Sequence, residues 1–210
     1  MRDDIERYWR ELADVTRSMP FGAVARAAEA LLECYRRGGT IFAIGNGGSA
    51  ATASHFACDL AKNVRAEGLP AFRVMALTDN MPLVTAWAND TSYARVFAEQ
   101  LAALVRPGDV VVAISCSGTS PNVLLAAEAA HELGAHVVAL TGRTGGKLAR
   151  LSDYTIRVPS DSIEQVEDAH MAITHSVCVV LRARLRAEAS EQVLLEQAVG
   201  APVAVPLETV

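Results

Sequence analysis

Two segments of this chain change abruptly from a strand-like apolar run to a turn that leads into a helix. In the first, Ile-Phe-Ala-Ile at residues 41–44 is followed by Gly-Asn-Gly-Gly-Ser-Ala, the Gly-rich turn (residues 45–50). In the second, Val-Val-Val-Ala-Ile at residues 110–114 is followed by Ser-Cys-Ser-Gly-Thr-Ser, the Ser-rich turn (residues 115–120). The N-terminus of a helix offers unpaired N–H groups and the positive end of the helix dipole to an anion. The two turns therefore predict an α/β protein that holds a phosphorylated small molecule.

The same alternation of strands and helices continues along the chain. Continuous Val and Ile runs are typical of parallel strands buried on both faces, and we expect a three-layer α-β-α sandwich around a five-stranded parallel sheet. Ligands of such folds bind at the carboxyl ends of the strands, where both turns lie. The strands are predicted at residues 40–44, 72–77, 110–114, 136–140 and 154–158, and the helices at residues 3–37 with a break at 20–22, 49–63, 93–105, 120–133 and 163–187.

The predicted organisation is one α/β domain at residues 38–190. A helical extension at residues 1–37 precedes it, and a C-terminal tail at residues 191–210 follows it. The Gly, Pro and β-branched residues after Ala198 suit an extended arm.

Composition excludes several classes of protein. The formal net charge is −5 and the basic residues are scattered, which argues against a nucleic-acid partner. A membrane partner is not expected either, because no apolar stretch approaches the roughly 20 residues that cross a bilayer and the charged N-terminus lacks the apolar core of a signal peptide. The four cysteines lie far apart without a CxxC pair, as in a reduced protein. We therefore expect a cytoplasmic protein.

The Gly-rich turn has an alternative ligand, a dinucleotide. Gly45-x-Gly47-x-x-Ala50 matches the fingerprint of nicotinamide and flavin enzymes, but that fingerprint requires an acidic residue about 20 positions further on. Here Asp79 stands about thirty positions on. Residues 142–148 have a superficial likeness to a P-loop, with the wrong spacing and without Ser or Thr after Lys147. That segment is interpreted as a surface turn into a helix.

The Ser-rich turn carries more hydroxyl groups than a helix cap needs. An ordinary turn with a Ser cap explains one or two of them, whereas the turn has four, on Ser115, Ser117, Thr119 and Ser120. Hydroxyls interleaved with Gly118 at a helix N-terminus suit a phosphate monoester. We predict that the phosphate binds here.

Four potential metal ligands lie on two predicted helices. His55 and Asp59 are spaced i and i+4, so both project from one helix face. Glu167 and His175 are eight residues apart on the last helix, within about 80° of each other around its axis. Together they predict either a zinc-type site or an acid–base pair. A purely structural role is the alternative for any one of them.

The remaining histidines and two cysteines are given no chemical role. His170 points further round the last helix, and His131 and His136 are expected to be solvated. Cys58 and Cys116 neighbour the site without an adjacent base to activate a nucleophile, so we interpret them as packing residues.

With these motifs the chain resembles the sugar isomerase (SIS) domain proteins and, among them, the phosphoheptose isomerases. The likeness runs from about residue 5 to residue 187 and implies a flavodoxin- or Rossmann-like SIS fold. The motifs that carry it lie at residues 45–50, 55–57, 88–90, 114–123 and 140–142.

The resemblance implies an aldose–ketose isomerase that interconverts sedoheptulose 7-phosphate and a heptose 7-phosphate in heptose biosynthesis. It also implies a homotetramer and one metal ion per subunit, usually Zn²⁺. The implied phosphate ligands are Ser115, Ser117 and Ser120. The implied contacts to the sugar are Asn46, Gly47, Gly48, Asn89 and Asp90, and Ser49, Cys116 and Glu167 complete the substrate-binding set. The implied metal ligands are His55, Asp59, Glu167 and His175. Asp59 and His175 are the implied catalytic pair, with base and acid left open.

The chain departs from the family pattern in three places. Asp59 stands where the family usually has Glu and Glu167 where it usually has Gln, and Asn63 with Lys62 stands where it commonly carries an Arg near the phosphate. The alternative function is a non-catalytic SIS module that binds a phosphosugar or a protein partner such as the replication initiator. Retention of His55, Asp59 and His175 argues against that branch.

Overall fold

A five-stranded parallel sheet forms the centre of the computed structural model, which describes the backbone of residues 1–200 and the side chains of residues 1–195. The strand order is β2-β1-β3-β4-β5, and every neighbouring pair is parallel. This confirms the predicted α/β fold. The strands are β1 (Thr40–Ile44), β2 (Arg73–Ala76), β3 (Val110–Ser115), β4 (His136–Thr141) and β5 (Tyr154–Arg157).

The helices cover both faces of the sheet and so form the predicted three layers. On one face Leu31 of α2, Phe56 of α3 and Leu181 of α7 pack in one buried cluster. On the other face Leu101 of α5 and Val123 of α6 belong to a second cluster. The helices are α1 (Arg2–Arg17), α2 (Phe21–Arg36), α3 (Gly48–Lys62), α4 (Met81–Asp90), α5 (Val96–Leu104), α6 (Pro121–Glu132) and α7 (Ile163–Gly200).

The strand order places the switch point of the sheet between β1 and β3. After β1 the chain proceeds to β2 on one side, and after β3 it proceeds to β4 on the other. In parallel sheets the crevice between two such diverging connections is the usual ligand site. The Gly-rich turn leaves β1 and the Ser-rich turn leaves β3, so the fold brings the two turns together.

One helix was not predicted and another is longer than predicted. Helix α4 was missed altogether, and Asn89 and Asp90, for which the sequence indicates a turn before residue 93, are its last residues; its first turn is capped by the Asn80 side chain accepting from Leu83 N at 3.2 Å. Asn and Asp are poor helix formers, which hides the end of this helix in the sequence.

The last helix begins at Ile163 as predicted and continues past residue 187 to Gly200. The predicted tail boundary at residue 190 therefore falls inside α7, where Glu, Ala, Gln and Leu favour a helix. Of the predicted extended arm, residues 199–200 belong to α7 and the rest lies outside the described residues.

All four cysteines are free thiols. Among the helices of residues 1–200, none combines the length and the apolar character needed to span a bilayer.

Candidate active site

A cavity of about 380 Å³ opens at the switch point, between the two turns and the start of α7. Its walls include residues of both turns together with residues 142–144 and 160–161. Seven of the eleven predicted substrate-binding residues line it: Asn46, Ser49, Ser115, Cys116, Ser117, Ser120 and Glu167. The fold thus assembles most of the predicted set around one opening.

The Ser-rich turn forms a cup of hydroxyl groups at the N-terminus of α6. The buried Ser115 hydroxyl accepts from Gly118 N at 3.2 Å and lies 3.3 Å from the Ser120 hydroxyl. Ser120 is the N-cap residue of α6, yet its side chain accepts no hydrogen bond from the N–H groups in the first turn of that helix. Its hydroxyl therefore remains available to a ligand, next to the unpaired N–H groups of the helix.

The loop at residues 142–148 is a wall of the cavity, although the sequence indicated a surface turn. Gly118 has φ +61°, and a Cβ atom built on it would overlap the carbonyl oxygen of Gly145. Leu148 N donates to Gly118 O at 2.9 Å, which ties the loop to the cup. The close approach of two glycine-containing segments explains why this loop contains Gly-Gly without being a P-loop.

This loop also brings a cation that sequence reasoning missed. Arg143 lines the cavity and donates through Nε to Asp161 Oδ2 at 2.9 Å and through Nη2 to Pro159 O at 2.7 Å. The guanidinium is therefore held at the rim by its neighbours.

The Gly-rich turn receives a carboxylate from the protein itself. Gly48 is the first residue of α3, and a Cβ atom built on it would overlap the Glu167 carboxylate. A negative group near the first turn of a helix interacts favourably with the helix dipole. The Glu167 carboxylate therefore lies beside the first turn of α3, where it also lines the cavity.

Cys116 lies in the cavity as a neutral thiol. Burial raises its pKa, and the charge of Glu167 raises it further, against a weaker lowering by the Ser49 side chain. A thiol is nucleophilic only after it loses its proton. This agrees with its interpretation as a packing residue that lines the site.

Asn89 and Asp90 are not brought to the cavity within one chain. Both are exposed at the end of α4, where Asn89 Nδ2 donates to Asp90 Oδ1 at 2.9 Å. Their predicted contact with the sugar stays a prediction.

Three of the four predicted metal ligands meet between α3 and α7. His55 Nε2 and His175 Nε2 lie 3.0 Å apart, and Asp59 Oδ2 lies 3.4 Å from the first and 3.7 Å from the second. About half of each imidazole is exposed, whereas the Asp59 side chain is 15% exposed. Glu167 is not part of this group of mutually close ligand atoms.

The donor set fits a tetrahedral ion. Ligand atoms bound at about 2.0–2.1 Å in a tetrahedron lie about 3.3 Å from one another, close to the three measured separations. Two imidazoles and one carboxylate leave a fourth position free, as in catalytic zinc sites. The triad, His55, Asp59 and His175, can therefore hold a Zn²⁺-like ion.

Asn63 orients the triad carboxylate, a role that the sequence did not reveal. Its Nδ2 donates to Asp59 Oδ1 at 2.7 Å. One oxygen of Asp59 is thus held by Asn63 while the other faces the two histidines. The i, i+4 spacing of Asp59 and Asn63 on α3 could have indicated this contact.

The other three histidines lie outside the triad. His170 is 1% exposed, and burial lowers its pKa to about 4 against the effect of the Thr141 backbone. His131, near the end of α6, and His136, at the start of β4, are exposed as expected. His131 Nε2 lies 3.1 Å and His136 Nδ1 3.8 Å from Asp153 Oδ2.

The family of the chain follows from comparison with known proteins. The model of the SIS domain family matches residues 6–142. Over 85% of its length the chain is 42% identical to the phosphoheptose isomerase of Rhodospirillum rubrum, and the match covers 95% of that protein. The chain belongs to the phosphoheptose isomerases of the SIS domain family. This confirms the resemblance carried by its motifs.

Solved structures agree with this assignment to the phosphoheptose isomerases. The phosphoheptose isomerase from Neisseria gonorrhoeae superimposes with a TM-score of 0.81 at 35% identity, over 87% of this chain and 98% of that one. The enzyme of the same name from Francisella tularensis gives a TM-score of 0.80 at 34% identity, over 86% and 97% of the two chains. The similarity therefore extends over nearly the whole of each relative.

Proposed function

We propose that this chain is an aldose–ketose isomerase that interconverts sedoheptulose 7-phosphate and a heptose 7-phosphate, a step in making heptoses. The names of its relatives state the phosphoheptose substrate. The observation that carries the proposal is that α7 supplies both Glu167, in the wall of the cavity beside the Ser-rich turn, and His175 of the His-Asp-His triad. Glu167 and His175 are eight residues apart on α7, a rise of about 12 Å, so an extended phosphosugar can reach from one to the other.

The substrate phosphate binds in the Ser-rich turn. Ser115, Ser117 and Ser120 present hydroxyl groups there, and the N-terminus of α6 adds its dipole. The Glu167 carboxylate lies beside the first turn of α3, so its negative charge repels a phosphate from the Gly-rich turn. The sugar chain then extends from the cup past Ser49 toward the triad.

Asp59 and His175 move the protons. Isomerisation transfers one proton between adjacent carbons and one between their oxygens. Because their ligand atoms are 3.7 Å apart, the two residues act on the same side of the sugar, not on opposite sides. Asp59 serves the carbons as the base, and His175 serves the oxygens. Asn63 keeps the Asp59 carboxylate oriented through its 2.7 Å hydrogen bond.

A Zn²⁺ ion held by His55, Asp59 and His175 would polarise the substrate carbonyl oxygen as a Lewis acid. Oδ2 of Asp59 and Nε2 of His175 both face the ion position, so the pair exchanges protons when that position is empty and would hold the ion when it is filled.

A homotetramer completes the proposal. Several large apolar side chains are exposed on a single chain, among them Trp9 at 64% and Phe21 at 63%, and α1 buries only Val15 among its described residues. Exposed apolar patches of this kind mark interfaces. Light scattering at micromolar concentration is expected to give the mass of four chains, and the mass of one chain would refute this part. Free cysteines are consistent with the reducing cytoplasm, where we place the enzyme.

The deciding experiment is an assay on ketose phosphates of five, six and seven carbons, with metal analysis of the same preparation. The highest kcat/KM is expected for sedoheptulose 7-phosphate. Binding of that sugar by calorimetry without turnover, in metal-replete protein, would instead support a non-catalytic phosphosugar-binding module.

A further inference from the structure

A pair of side-chain amides joins the two turns of the site. Asn46 Nδ2 donates to Asn122 Oδ1 at 2.8 Å, and Asn122 Nδ2 donates to Asn46 Oδ1 at 2.8 Å. Asn46 belongs to the Gly-rich turn, and Asn122 is the second residue of α6, directly behind the Ser-rich turn. Asn122 is 2% exposed, so its amide has little access to water. The partners of Asn46 therefore restrict how its amide can point.

Tyr93 gives this amide pair a direction. A reciprocal pair of amides is symmetric and would be equally satisfied with both amides turned over. The Tyr93 hydroxyl donates to Asn46 Oδ1 at 2.9 Å, and a phenol is a better donor than acceptor. The pair is therefore held with Oδ1 of Asn46, and not its Nδ2, toward Tyr93.

The remaining hydrogen-bonding capacity of Asn46 follows from the number of its groups. The two lone pairs of Oδ1 are used by Asn122 and Tyr93. Of the two N–H groups on Nδ2, one is used by Asn122, and the other has no acceptor among the described residues. Since Asn46 lines the cavity, the free group is an N–H donor and not a carbonyl acceptor.

We infer that Asn122 and Tyr93 are positioning residues that keep the free N–H of Asn46 directed at an oxygen of the sugar part of the bound phosphosugar. This rests on the proposed function. Neither residue touches the substrate in this arrangement, since both act through Asn46. They select for an acceptor oxygen at that place on the ligand.

The test uses Tyr93→Phe, because Tyr93 is 58% exposed and loss of its hydroxyl leaves the core intact. Calorimetry measures the Kd of sedoheptulose 7-phosphate and, separately, of inorganic phosphate. We expect the sugar phosphate to bind about three- to tenfold more weakly, the loss for one hydrogen bond, with inorganic phosphate unchanged. Under turnover KM rises by the same factor while kcat is retained, the pattern of a lost binding contact.

A double-mutant cycle tests whether Tyr93 acts through Asn46. In an Asn46→Ala background, Tyr93→Phe should have no further effect on the Kd. Tyr154→Phe at the amino end of β5 is the matched control and should behave as wild type. Asn122→Leu, which removes both amide bonds, should weaken sugar-phosphate binding at least as much as Tyr93→Phe, with its folding checked by thermal unfolding.

The outcomes separate this inference from the proposed function. If the wild-type protein binds no sedoheptulose 7-phosphate, both are overturned. If the wild type binds it and Tyr93→Phe binds it equally well, or if the two substitutions are additive, only the positioning role is overturned.

Discussion

The Nε2 atoms of His55 and His175 lie 3.0 Å apart although 120 residues separate them in the chain. Two imidazole nitrogens at this distance share either one hydrogen or one ion. Asp59 Oδ2, within 3.7 Å of both, completes a set that matches the edges of a metal tetrahedron.

Replacing His175 with Ala is expected to remove both the bound metal and the isomerase activity. Two ligands on one helix are too few for a structural or catalytic zinc site, so the variant should lose zinc on dialysis while the wild type keeps about one ion per subunit. Metal content is measured by emission spectroscopy. His131→Ala, at the other end of the sheet, is the control, and full zinc occupancy in His175→Ala would contradict the assignment.

The substitution Asp59→Asn is expected to lower kcat by about 10²- to 10⁴-fold, the usual contribution of a general base. The amide keeps the shape of the carboxylate but cannot accept the proton from carbon. Asn63→Ala should cause a smaller fall, because the carboxylate remains and only its orienting donor is lost. Steady-state kinetics on sedoheptulose 7-phosphate measures both, and wild-type rates in Asp59→Asn would refute the mechanism.

The substitution Glu167→Gln tests whether Glu167 binds the metal or instead interacts with the dipole of α3. The carboxylate lies at Gly48 and outside the triad, so zinc content should be unchanged. Loss of its charge at the start of α3 should lower the free energy of unfolding by about 0.3–1 kcal/mol. Urea denaturation gives this difference, with Glu191→Gln on the same helix as the control. A drop in zinc occupancy would place Glu167 among the ligands after all.

The variants Gly118→Ala and Gly38→Ala together test how closely the loop at residues 142–148 packs against the Ser-rich turn. Both glycines have positive φ, +61° and +71°, but only Gly118 has a neighbouring loop where the new methyl group would go. Gly38→Ala should cost about 1–2 kcal/mol from backbone conformation alone, and Gly118→Ala about 1–3 kcal/mol more from overpacking. Gly118→Ala should also weaken the binding of inorganic phosphate. Equal stabilities of the two variants would show that the loop can move away from the cup.

Asp153→Asn should destabilise the protein in a pH-dependent way. Burial alone would raise the pKa of Asp153, but the N–H of Val137 and the neighbouring His131 outweigh it, so the pKa is lowered overall. A carboxyl with a depressed folded-state pKa contributes stability above its unfolded pKa, and this contribution is lost as the pH falls through the folded value. Urea denaturation should therefore give the wild type a higher free energy of unfolding than the variant at pH 7, and this difference should narrow below about pH 4. A gap that stays constant down to pH 2 would contradict this role.

Most of the secondary structure could be predicted from local sequence patterns. The apolar runs placed all five strands, and Pro121 and Gly134 placed both ends of α6. The whole of α4 was missed, in part because Asn89 and Asp90 at its end are weak helix formers whose preference its packing against α5 overrides. The end of α7 was predicted too early, at residue 187, although the Glu, Ala, Gln and Leu residues beyond it still favour a helix.

The sequence by itself determined the order of the strands and of the helices other than α4, the two turns and the chemical types of the ligands, because each depends on neighbouring residues. Only the tertiary structure decided which groups meet. The packing of α3 against α7 brings His175 to His55 and Asp59, and the same packing places the Glu167 carboxylate beside Gly48 at the start of α3. Likewise, the amide pair of Asn46 and Asn122 forms because β1 and β3 are neighbours in the sheet. Such contacts join residues far apart in the chain, and no local periodicity encodes them.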